Sequence, residues 1–91
     1  MVTIQPSRAF IEIDRVKHFV DPKMAQVAEA LYAKPDQWVL MSCLCAKADT
    51  TKGSVWNYAS RLRAIFEPYG YRLEHDVDRG YRLRWPIPGA H

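Results

Sequence analysis

Val55, Ala59, Leu62 and Phe66 recur at spacings of four, three and four. That rhythm puts them on one stripe of an α-helix of about four turns. Thr50 or Thr51 stands where an N-cap belongs, since a hydroxyl there accepts from the free amides of the first turn. Pro68 and Gly70 end the helix. Beyond them the period falls to two. YRLEHDV (71–77) and GYRLRW (80–85) alternate, and residues 76–80 can turn between them, which predicts a hairpin over 71–85. Near the other end, AFIEI (9–13) and VKHFV (16–20) partly alternate around Asp14 and Arg15, so a second, short hairpin is expected over 9–20. Residues 1–8 show no period and are expected to fray.

Two more helices fit between the hairpins. Asp21-Pro22 is a start signal, with aspartate as N-cap and proline at the first helical position, where its missing amide costs nothing. Met24, Val27, Ala28 and Leu31 then face inward, and the helix ends at Lys34-Pro35 because the residue before a proline avoids the helical region. A second helix is expected over 41–48, with Leu44 in the core and Leu40 at its cap position. The link over 47–51 is short. The fold class is therefore α+β, in one domain spanning 1–91, with a three-helix core over 21–67 between the hairpins.

Ninety-one residues suffice for one modest core and are too few for two. With 48% apolar and 25% charged residues the composition is that of an ordinary globular protein. No apolar run approaches the ~20 residues that span a bilayer, and the N-terminus has no signal-peptide core, so a cytoplasmic protein without membrane attachment is expected. Charge says more once it is divided. Residues 1–49 hold six Lys/Arg and six Asp/Glu, residues 50–91 seven and four, so the net +3 falls in the second half. Around the helix at 52–66, Lys52, Asn57, Ser60, Arg61 and Arg63 occupy the faces away from the apolar stripe, with no acid before Glu67. An apolar back and a basic, amide-bearing front is the build of a groove-reading helix, and a hairpin following at once is the arrangement of a winged helix-turn-helix. The same pattern also suits a solvated surface helix on a small sheet.

Other chemistries find little support. Cys43 and Cys45 form a lone C-x-C whose members point to different faces of a helix, and His18, His75 and His91 show no ligand spacing, so no metal is expected. His75 lies between Glu74 and Asp76, but neighbours on a strand face opposite ways and no nucleophile motif accompanies them. Neither an enzyme nor a cofactor is expected. Trp38 and Trp85 read as sheet or core packing, whereas Trp56, beside the apolar stripe, is a candidate for exposure.

The segment SVWNYASRLRAIFEPYGYRLEHDVDRGYRLRW (54–85) resembles the C-terminal effector domain of OmpR/PhoB-type response regulators. That family's recognition helix is matched by Ser54, Val55, Ala59, Leu62 and Arg63, and the end of its wing by Gly80, Tyr81, Arg82 and Leu83. The resemblance implies a short strand over 37–40 joining the wing sheet, and a larger N-terminal sheet of which this chain has room for a reduced version. It implies major-groove positions for Ser54, Asn57, Tyr58 and Arg61 and a backbone position for Arg63. Lys52, at the helix start, suits a phosphate. The family's minor-groove arginine aligns with Val77, and Arg79 follows two residues later between Asp78 and Gly80. Asp76 and Asp78 there would repel phosphates. MSCLCAKA departs from the family's second helix, and the short link at 47–51 replaces the long loop through which activating members touch RNA polymerase.

The expectation is a small bacterial or phage transcriptional regulator without a receiver domain, binding double-stranded DNA sequence-specifically, as a homodimer or in tandem. Repression by occlusion, or activation through another surface, follows from the short link. An alternative from a different class is a winged-helix interaction module that has lost DNA binding and holds a protein partner through Trp56, Tyr58 and the ribbon.

Overall fold

The N-terminus folds where no period was legible. The computed structural model describes residues 1–87, so 88–91, His91 and the end of the expected domain among them, lie outside the described residues. Strand β1, Val2–Gln5, pairs antiparallel with β2, Phe10–Ile13, and β2 pairs with β3, Val16–Phe19. The expected hairpin over 9–20 is thus the far part of a three-stranded sheet, and the expected fraying of 1–8 is corrected. Four residues are too few to show a period; Val2 and Ile4 become ordered because β2 offers a partner in register, Val2 opposite Ile13 and Ile4 opposite Ile11. The terminal ammonium closes the edge at 3.1 Å from the Asp14 carboxylate.

Helix α1, Pro22–Tyr32, starts behind Asp21 as predicted. The Asp21 side chain, however, does not cap it. Its carboxylate lies 3.3 Å from Arg61 Nη1 instead. Strand β4 is the short Trp38–Val39, α2 is Met41–Ala48, and α3 is Lys52–Phe66. Thr51 is the true N-cap of α3: its Oγ1 accepts from the Ser54 amide at 3.2 Å. Between the helices Asp49 adopts the left-handed conformation, φ 50°, and its amide closes onto the carbonyls of Cys45 and Ala46. A left-handed C-cap of this kind satisfies the last carbonyls of α2 and turns the chain sharply.

After the 3-10 turn Glu67–Tyr69, the chain forms β5, Arg72–Asp76, and β6, Gly80–Arg84. These make the second sheet in the order β4-β6-β5, with Trp38 opposite Arg82 and Leu73 opposite Leu83. Period two sends Leu73, Tyr81 and Leu83 into the core, where Met24, Val27, Leu31, Leu44, Val55, Leu62 and Phe66 are all at most 2% exposed. Tyr71 fits against Phe66, Trp85 and Tyr32, and burial together with the nearby Tyr32 phenol pushes its own phenol up to about 12. It is neutral packing at any ordinary pH.

Candidate nucleic-acid interface

The apolar stripe of α3 is fully seated, with Val55, Ala59, Leu62 and Phe66 between 0 and 2% exposed, which fixes what the other faces present. Lys52 and Asn57 are exposed, and neither makes a side-chain hydrogen bond within the described residues. Arg61 follows Asn57 by one turn on the same side of the helix and is also exposed. Its one ion pair, to Asp21, lies in solvent, where such pairs are worth ~0–1 kcal/mol. No acid stands on α3.

The remaining predicted positions are more engaged. Ser54 belongs to the cap: its hydroxyl receives the Thr51 hydroxyl at 3.1 Å while its amide donates to Thr51 Oγ1. Tyr58 is half-buried against the core. Arg63 donates from both Nε and Nη2 to the Leu73 carbonyl, at 3.3 and 3.2 Å, and lies 3.7 Å from Glu67. Strand β5 is an edge of its sheet, so Arg63 satisfies an edge carbonyl that would otherwise be open. The structure therefore brings Asn57 and Arg61 to one accessible side, leaves Lys52 exposed at the start of α3, and ties Arg63 into the fold.

At the wing, Asp76 organises the turn. Its carboxylate accepts from the amides of Asp78 and Arg79, at 2.9 and 3.0 Å, and from Arg79 Nη2 at 3.2 Å. Val77 stands at the tip, 88% exposed, and the Arg79 guanidinium folds back over the Trp38 ring, 4.7 Å from its centroid. The amide bonds, led by that of Asp78, and the Arg79 guanidinium hold the Asp76 carboxyl below its ordinary value. Glu74 is likewise lowered, chiefly by its hydrogen bond from Arg82. Depressed carboxyl groups stabilise the wing above the usual carboxylate range and lose that contribution as pH falls below about 4. The amide resonances of Asp78 and Arg79 should shift together on acidification, with a midpoint below the ordinary aspartate value; a midpoint at or above it would show that the Asp76 bonds do not persist in solution.

Two features were not foreseen. The opposition of Asp21 and Arg61 joins residues forty apart in sequence, and no local pattern announces it. Trp56, 56% exposed, meets the His75 ring edge-on at 5.2 Å, filling the notch between α3 and the wing. His75 stands opposite Tyr81 on the core-facing side of the ribbon, and its meeting with α3 depends on tertiary packing. Cys43 and Cys45 are free thiols, exposed and half-buried. Among the described residues no cluster of His, Cys, Asp and Glu could hold a metal ion, and no helix is long and apolar enough to cross a membrane.

This arrangement has close parallels among solved structures. The DNA-binding domain of the response regulator AdeR, crystallised in complex with an intercistronic region, superposes with a TM-score of 0.73 over 93% of this chain and 95% of that one, at 19% identity. The chain has the winged-helix fold of a response-regulator DNA-binding domain. The DNA-binding domain of E. coli CadC gives a TM-score of 0.71 at 16% identity, over 93% of this chain and 87% of its own. No protein-family profile and no curated protein sequence matches this chain. At these identities the likeness is one of fold. Within that fold α2 and α3 form the helix-turn-helix, and β5 and β6 form the wing.

Proposed function

We propose that this winged helix binds double-stranded DNA sequence-specifically, as part of a bacterial or phage transcriptional regulator working in the cytoplasm. The observation that carries the reading is the accessible side of α3. It presents Asn57 unengaged and Arg61 held, among the described residues, by one solvent-exposed pair, on a helix without acids that has Lys52 exposed at its start. Asn57 suits adenine N6 and N7, and Arg61 suits guanine O6 and N7, through paired hydrogen bonds. Lys52, at the helix start, suits a phosphate. Ser54 and Tyr58 flank this group, with roles in the groove that come second to the cap and the core. Arg63 contributes to the field and holds the wing. Arg79 is the wing's candidate for a phosphate, once it leaves Asp76. A single module of this size gains specificity by binding as a dimer or in tandem.

The test is affinity for a duplex selected from a random pool, measured over a salt series. Asn57→Ala and Arg61→Ala should each lose about 1–3 kcal/mol of specific affinity and relax preference at one position. Lys52→Ala should weaken binding to all sequences and reduce the salt slope by about one. If no sequence is enriched, and affinity stays within the ~10⁻⁴–10⁻⁶ M of non-specific association, the proposal fails.

Asp21 supplies a sharper check. It neutralises Arg61 in the free protein and adds a negative charge beside the groove-facing helix. Asp21→Asn should therefore tighten DNA binding by a few-fold, about 0.5–1 kcal/mol, the usual size of an exposed pair. Weaker binding by this variant would mean that Arg61 acts only through Asp21.

A second reading rests on Trp56. An indole 56% exposed beside a notch is the build of an interface anchor. If no duplex is enriched and Trp56→Ala abolishes binding to a protein partner, the interaction module becomes the better account. On the DNA-binding reading the tight link at 49–51 leaves regulation to occlusion of the promoter, or to a surface other than that link.

A further inference from the structure

We propose that the outward face of the wing sheet is a docking surface for an acidic segment of a partner protein, a role independent of DNA binding through α3. Because Leu73, Tyr81 and Leu83 turn to the core, Arg72, Glu74, Arg82 and Arg84 stand on the opposite face. Trp38 joins them from β4, in register with Arg82. Its ring lies 4.4 Å from the Arg82 guanidinium and 4.7 Å from that of Arg79, so two cations lie over one indole. Arg82 is committed to Glu74 and Arg79 to Asp76.

Arg72 and Arg84 are left over. They face each other directly across the ladder, both exposed, and neither lies within ion-pair distance of a carboxylate among the described residues. Like charges placed opposite each other destabilise a strand pair, and this one is eased only at a distance by Glu74, whose carboxyl is held low first by Arg82 and further by Arg84 and Arg72. Two adjacent guanidiniums are suited to carboxylates, which they grip through paired N–H donors. Beside them, the two guanidiniums held over Trp38 add further N–H donors to the same face.

The partner's chemistry follows from the boundary of the patch. Glu74 and Asp76 interrupt it on the tip side, and they would repel a continuous phosphate backbone laid along the ribbon. A polypeptide can set carboxylates at Arg72 and Arg84 and uncharged groups beside Glu74. The face also turns away from α3, which packs on the inner side of the same strands through Trp56–His75 and Arg63–Leu73. A duplex held by α3 therefore leaves Arg72 and Arg84 clear, and of this face only Arg79, in the turn, is also a candidate for DNA.

The experiment is a titration of a fluorescein-labelled peptide of glutamates spaced by serines with the full chain, followed by anisotropy. The double variant Arg72→Glu/Arg84→Glu should weaken binding about tenfold or more, since two charge-assisted pairs are lost. Arg15→Glu/Lys17→Glu, with the same change of net charge on the exposed tip of the N-terminal sheet, should change it less than about threefold. The milder Arg72→Gln/Arg84→Gln should also lose binding while melting no lower than the parent, which separates docking from folding. Failure of the parent chain to bind the probe, or equal losses in the two Glu double variants, would overturn the proposal. So would a loss of duplex DNA affinity in Arg72→Glu/Arg84→Glu as large as that of Lys52→Glu, because the face would then belong to the DNA site.

Discussion

Gly80→Ala is expected to be the most damaging single-methyl change in this protein, costing about 3–5 kcal/mol. Gly80 has φ +96°, a conformation that costs an L-residue roughly 1–2 kcal/mol. The added Cβ would also sit 2.1 Å from the Val39 carbonyl oxygen and 2.9 Å from both Leu40 Cα and Met41 N. Those atoms are backbone at the end of β4 and the start of α2, so no side chain can swing aside. Overpacking of this kind costs ~1–3 kcal/mol when neighbours can yield, and here the strand and helix start must shift together. Chemical denaturation should show the loss, and the displaced wing should weaken DNA binding further. A Gly80→Ala protein as stable as the parent would mean that β6 does not meet β4 in this register.

Leu62→Ala should cost about 2–5 kcal/mol, the range for deleting a buried leucine side chain. Leu62 is 1% exposed, in the same cluster as Leu31, Leu44, Val55 and Phe66. Where in that range it falls depends on how far the cavity collapses, and helices on two sides with a sheet on the third leave little freedom. For a chain of 91 residues, stability is of order 5–13 kcal/mol, so this one truncation removes a large fraction of it. An unfolding midpoint unchanged by Leu62→Ala would contradict the phase of α3 and with it the exposure of Asn57 and Arg61.

That phase was legible because the stripe is long enough to repeat. Val55, Ala59, Leu62 and Phe66 leave one helical solution, and Thr51 is a cap by chemistry as well as by position. Residues 41–48 were harder to bound, since Leu40 offers no capping oxygen; the helix begins there because Leu40's carbonyl receives the amides of Cys43 and Leu44. Strand β1 was invisible because its four residues gain order only from β2. The candidate site was legible as a set of residue types on a face. Which of them are occupied was not. Arg61 and Arg63 look alike in the sequence, yet one meets an exposed aspartate and the other a backbone carbonyl on an adjacent strand. Such partners are decided by distances across the fold, which no local pattern encodes.

The paired hydrogen bonds from Arg63 to the Leu73 carbonyl have a mechanical consequence. They pin the reading helix to the wing at a set angle, reinforced by Trp56 wedged against His75. On the proposed reading, a helix and wing tied in this way leave the duplex to do the adjusting. Base steps that kink or narrow easily would then be favoured where neither prong touches them, and stiff ones would be penalised. Selected duplexes should then carry sequence preferences at uncontacted positions, set by the flexibility of DNA against a braced caliper.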